Sequence, residues 1–305
     1  MARRKSKKSG LFSFFSKSKK RNRTKTEINW RVTFSILGMI VITAGIGAGL
    51  FYLNRYVNRI RLGREVESVK LMGVPDWVNR RLEEKLYDTA LAGLDVLKIN
   101  EQTARVVQQN IEANFHWLDN PVVQVKNDTV QISGEWRKPL GLVKIGSDKF
   151  YIDSELVVLN FIPEPQLPIV RIRGLGGYDI PGAGNAWTRQ DLAAAIEILS
   201  RLDKMDRMVT PDNPLLAEIE TIDVSNFNGR DNKDFAHIIM YARDNTEIIW
   251  GAELGSWQRN LEATDQEKIG RLYNYYKEKG TLLGNVKYID LRNLQDKIYQ
   301  PIDKY

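Results

Sequence analysis

The chain has 305 residues, a formal net charge of +7 and no cysteine, which excludes a disulfide framework, thiolate metal centres and a Cys nucleophile. Residues 1–31 hold twelve Lys or Arg against the single acid Glu27, so the tail carries +11 and the rest of the chain −4. The high pI therefore belongs to the tail, and a basic globular nucleic-acid binder is disfavoured, because that would need its cations clustered on a folded domain.

The tail reads as a disordered segment held inside by its charge, and Val32 to Asn54 follows as an uncharged run bounded by Arg31 and Arg55. As a helix it would be roughly 33 Å long, enough to cross a bilayer core. Trp30, Tyr52 and Tyr56 place aromatics at both expected interfaces. A cleaved signal peptide fits less well, since its apolar region usually runs about 7 to 15 residues. The expectation is a single transmembrane helix over residues 32–54, with the N-terminus cytoplasmic and the larger part outside. Within it Gly45 and Gly49 have the GxxxG spacing of a helix-packing face, although glycine is also simply common in membrane helices, and both readings stay open.

About 250 residues remain, enough for two small domains. A short strand is expected over 66–71, then a helix with Pro75 at its start and Val78, Leu82 and Leu86 on one face. A second helix is capped by Asn100 and runs through Val107 and Ile111. A hairpin follows, Val123 and Val125 alternating before Asn127-Asp128 and Val130 and Ile132 after it. Beyond Pro139, a hairpin turns at Asp153-Ser154-Glu155, and a strand covers Leu167 to Val170. A helix opened by the pattern Thr188-x-x-Asp191 presents Leu192, Ala195, Ile196, Leu199 and Leu202. Strands are then predicted over Ile219–Val224, Phe235–Ala242 and Glu247–Trp250. A last helix starts at Thr264-x-x-Glu267, buries Ile269, Leu272 and Tyr276, and stops at Gly280 before a closing strand Val286–Arg292.

This order resembles a known family. Residues 66–143 are similar to the POTRA module, strand-helix-helix-strand-strand, in the version found in the bacterial cell-division proteins FtsQ and DivIB. The segments that carry the resemblance are Val69-Lys-Leu-Met-Gly73, Trp117 before the hairpin, and Glu135-Trp-Arg-Lys-Pro139-Leu-Gly-Leu-Val143. Further along, Tyr151-Ile-Asp153, Leu167-Pro168-Ile169-Val170 with Gly174, and Val286-Lys-Tyr288-Ile-Asp290-Leu-Arg292 resemble the family's second domain, the last matching its closing strand. The chain departs from the pattern by one inserted residue near Pro139 and by a missing hairpin glycine.

The fold class expected is α+β: a basic tail (1–31), a transmembrane helix (32–54), a POTRA module (63–143), a mixed α/β domain with an extended sheet (144–292) and a C-terminal tail (293–305). The resemblance implies a non-catalytic, single-pass scaffold of the cell inner membrane (plasma membrane) at the division septum. It would recruit FtsB or DivIC, coupled to FtsL, and help regulate septal wall synthesis. In the family the closing strand binds FtsB or DivIC, so the partner-binding residues carried over are Val286, Lys287, Tyr288, Ile289, Asp290, Leu291 and Arg292, with Tyr288 as the aromatic anchor. A plainer reading makes Ile289 and Leu291 core, with Asp290 and Arg292 solvated.

No enzyme is expected, and no catalytic, cofactor or metal site is assigned. His116 and His237 are the only histidines, and no Ser or Asp motif fixes a partner for either. The glycines from Gly174 to Gly184 lack the Lys-Ser or Lys-Thr of a phosphate loop, and Asp179 stands where a dinucleotide fingerprint needs glycine. They read as a loop. A membrane-anchored envelope enzyme acting on glycan or peptide, with a carboxylate pair, is the competing class. A POTRA-bearing export component is weaker, because no series of barrel strands follows.

Overall fold

The computed structural model describes residues 39, 43–53, 69–94, 100–126, 129–176, 179–284 and 286–293. The tail of residues 1–31, the turn at Asn127-Asp128 and residues 294–305 lie outside them. The chain divides into two compact units, Met1–Leu62 and Gly63–Tyr305. In the first, a helix α1 is described over residues 43–53. Among the described residues no helix is long and apolar enough to cross a membrane, which corrects the fold expected from residues 32–54. Much of that run, including 32–38 and 40–42, lies outside the described residues. A methyl added at Gly45 or Gly49 would meet only open space, so α1 by itself presents no packed face there.

The second unit begins with β1 (Val69–Leu71), α2 (Arg80–Ala90), α3 (Glu101–Asn114), β2 (Leu118–Lys126) and β3 (Thr129–Trp136). The sheet order is β1-β3-β2, with β1 parallel and β2 antiparallel to β3. The helices form where apolar residues recur one turn apart: Leu82, Leu86 and Ala90 are fully buried on α2, and Val107 and Ile111 on α3. Full burial of each Leu or Ile contributes about 1.5–3 kcal/mol. Helix α2 starts later than Pro75 suggests. Asn79 caps it, its Oδ1 accepting the Leu82 N–H at 3.0 Å, and Val78 is buried just ahead of the cap. Asn100 caps α3 as expected, accepting the Thr103 N–H at 2.8 Å.

The remaining strands are β4 (Pro139–Ile145), β5 (Asp148–Asp153), β6 (Val158–Asn160), β7 (Val170–Arg173), β8 (Ile219–Asp223), β9 (Ile238–Ala242), β10 (Glu247–Gly251) and β11 (Tyr288–Asp290). They form one eight-stranded sheet in the order β11-β10-β9-β8-β7-β4-β5-β6. Helix α4 (Gln190–Val209) connects the parallel neighbours β7 and β8, and α5 (Asp265–Lys279) connects the parallel neighbours β10 and β11. These crossovers interleave helices with parallel strands, so the described chain is mixed α/β with large sheets. The Tyr273 hydroxyl of α5 donates to the Leu202 carbonyl and the Asp206 carboxylate of α4, which brings the two helices together over the sheet. Thr264 and Glu267 form the expected capping box on α5, and Gly280 ends it at φ 74°. The pattern at Thr188 does not operate. Helix α4 begins after Arg189 with no side-chain cap, and Asp191 is held instead by Arg189 and Arg230.

The boundary expected at residue 143 falls inside β4, which belongs to the larger sheet. Only Arg137 and Lys138 separate β3 from β4, and both are clamped. Arg137 pairs with Asp119, Asp153 and Glu155 at 2.7–2.9 Å, and Lys138 pairs with Asp203 of α4 at 2.7 Å. Burial lowers the proton affinity of Arg137, and the three carboxylates more than restore it. The apolar core of the smaller sheet also takes in Tyr151, Val157 and Leu159 from the larger one. The Trp117 Nε1–H donates to the Asn160 carbonyl at 3.2 Å, and its ring meets Tyr151 edge-on at 5.7 Å. The two sheets therefore share a seam.

Candidate docking edge at the closing strand

β11 is the terminal strand of the large sheet. Its register with β10 sets Tyr288 beside Glu247, Ile289 beside Ile248 and Asp290 beside Ile249. The Glu247 N–H donates to the Lys287 carbonyl at 3.2 Å, and the Leu291 N–H donates to the Ile249 carbonyl at 3.0 Å. Backbone groups alternate sides along a strand, so those of Tyr288 and Asp290 face away from β10. Among the described residues no strand lies on that outer side.

The seven residues expected to bind a partner are divided by the fold. Val286, Ile289 and Leu291 are buried in the core, and Thr246 Oγ1 donates to the Val286 carbonyl at 3.1 Å. Lys287, just ahead of the regular strand, is exposed, while Tyr288, Asp290 and Arg292 are half-buried. The strand thus has three residues where seven were expected. Asp290 accepts from the Arg292 guanidinium, at 2.7 Å to Nη2, and from the Arg292 backbone N–H at 3.0 Å. Burial pushes the Asp290 carboxyl up, but the Arg292 bonds and the charges of Arg292 and Arg271 outweigh it and hold the group below its ordinary value.

A buried ion pair fixes the far end of this strand, and it was not anticipated. Lys268 is fully buried on α5, with Nζ at 2.5 Å from Glu262 and 5.3 Å from the Trp250 ring centre. Glu262 also accepts the Ala252 N–H, and the Ala263 N–H donates to the Arg292 carbonyl at 2.7 Å. Gly251 lies at φ 93°, where an added Cβ would stand 2.3 Å from Glu262 and 2.6 Å from Arg292 Cγ. The sequence did hold a signal: Lys268, Leu272 and Tyr276 recur every four residues, which sets a lysine on an apolar face.

The histidines are placed separately. His237 precedes β9, with Nδ1 at 3.1 Å from Glu253, a partner that spacing did not reveal. Glu253 also accepts the Asn228 N–H. His116 stacks against Gly184, and burial lowers its proton affinity. The described part of the 174–184 stretch is loop. Arg230 ties it down through the Gly174, Val224 and Ser225 carbonyls. Clefts of about 260 and 310 Å³ flank the seam and share Asp119 and Arg137 in their walls. Among the described residues no group of three or more His, Asp or Glu could hold a metal ion. No protein-family model and no curated protein matches this chain.

Proposed function

We propose that this chain is a non-catalytic scaffold of the bacterial division machinery, related to FtsQ and DivIB, that captures an extended segment of an FtsB- or DivIC-like partner, itself coupled to an FtsL-like protein, on the outer side of β11. The observation that carries the reading is the position of the sequence Val286 to Arg292. Its central residues form the end strand of an eight-stranded sheet, with the backbone of Tyr288 and Asp290 turned outward. A strand added there would gain main-chain hydrogen bonds, and the half-buried side chains of Tyr288, Asp290 and Arg292 would select its sequence. The buried Val286, Ile289 and Leu291 hold the edge in place and act as support.

The reading is tested by affinity capture of division proteins from solubilised membranes with wild-type chain and with Tyr288→Asp, alongside imaging of a fluorescent fusion in dividing cells. Wild type should recover an FtsB- or DivIC-like protein and collect at the septum, and Tyr288→Asp should lose capture while keeping its fold. A uniform distribution with no division protein recovered would refute it. An envelope enzyme would behave in the opposite way, tolerating the strand change and losing turnover when a carboxylate is removed.

A further inference from the structure

Among the described residues, the seam contains a buried carboxylate with no neutralising partner. Residues 161–164 leave β6 and pass under the N-terminus of α2, where Asn79 Nδ2 donates to the Pro163 carbonyl at 3.0 Å. The next residue, Glu164, is 3% exposed, and among the described residues neither carboxylate oxygen has a hydrogen-bond partner. A buried ionised carboxylate in that state is strongly unfavourable unless it is neutralised. Among the described residues its neighbours offer no cation. The Asn79 backbone N–H approaches only closely enough to oppose the burial effect in part, and Tyr151 of β5 faces Glu164 as a neutral phenol. Lys149 of β5 is engaged over the Phe161 ring at 4.9 Å, and Arg80 of α2 pairs with Glu84.

We propose that Glu164 is a proton-controlled wedge in the seam, holding the small sheet against the large one when neutral and loosening that joint when it ionises. Burial pushes its carboxyl from 4.5 up to about 7. Because the value in the closed seam is above the ordinary one, the stabilisation is complete below about pH 4.5, falls as pH rises towards 7 and levels off beyond it. The joint is thus tightest in mild acid. Glu164 lies far in sequence from β11, and the device stands whether or not the docking edge binds a partner.

Amide hydrogen exchange on the purified chain tests this, with opening constants corrected for the intrinsic pH dependence of exchange. The reporting amides are Leu82, bonded to Asn79 Oδ1, and Leu167, bonded to the Glu164 carbonyl. Their opening constants should rise at least tenfold between pH 5 and 7 and then flatten, while those of Ile222 and Met240 in the large sheet's core stay level. Glu164→Gln and Glu164→Met should each abolish the pH dependence, whatever they do to overall stability. An unchanged pH profile in either folded variant, or a Glu164 carboxyl signal titrating below pH 5 by NMR, would overturn the proposal.

Discussion

At the scale of single residues, Lys268 and Glu262 dominate the closing region because each leaves the other stranded if removed. Lys268 is fully buried, and among the described residues its ammonium meets Glu262 and the Trp250 ring. Glu262→Gln should therefore destabilise the chain by about 3–5 kcal/mol in denaturant unfolding, the typical cost of breaking one side of a buried pair. The double change Glu262→Gln with Lys268→Met should recover much of that loss, since it removes the unpaired charge. Asp290 makes a different prediction. Its carboxyl is held below the ordinary value, so its contribution is present above about pH 4 and disappears as pH falls further. Asp290→Asn should lower stability across the neutral region, leave the region below about pH 3 little changed and so flatten the acid limb of a stability-against-pH curve. Spacing placed Lys268 on an apolar face without naming Glu262 as its partner, whereas the Asp290–Arg292 pair is local, two residues apart on the closing strand.

At the scale of elements, local chemistry was readable wherever the determining contacts lie within one helical turn. Asn100 and Thr264 cap α3 and α5 through bonds to residues three positions on. Thr264→Ala should accordingly cost about 1 kcal/mol, measured as a shift of the denaturant midpoint at constant slope. Thr188 shows the limit of such patterns. Asp191 could have completed a box, but Arg189 and Arg230, the latter 39 residues away in sequence, take its carboxylate, and the cap position falls at Arg189, one residue past Thr188. The same limit explains the misplaced boundary. Pro139 ends a local pattern, yet β4 starts there because its partners are β5 and the more distant β7. Likewise, the length and uncharged composition of 32–54 suggested a crossing, whereas no helix among the described residues is long and apolar enough to make one.

At the scale of the whole molecule, the two sheets of the Gly63–Tyr305 unit act as one frame. The smaller sheet's core reaches into β5 and β6, Arg137 fastens the linker, and the far end of the larger sheet presents β11. The closing strand could be located from sequence, but its side chains could not be sorted. Strict strand alternation would set Lys287 on the face of Ile289 and Leu291, whereas the structure exposes Lys287 and buries Val286. On the proposed reading, a partner strand would run along the outward backbone at Asp290, with the half-buried Tyr288 beside it. The most direct test is the affinity of the chain for an extended FtsB- or DivIC-like segment, compared between wild type, Tyr288→Phe and Tyr288→Pro. Proline removes the outward N–H at an edge position while leaving the bonds to β10 through Lys287 and Leu291. The account predicts binding at least about tenfold weaker for Tyr288→Pro, with an unchanged melting temperature and near-normal binding by Tyr288→Phe. Equal affinity for the wild type and a folded Tyr288→Pro would contradict capture by strand addition at β11.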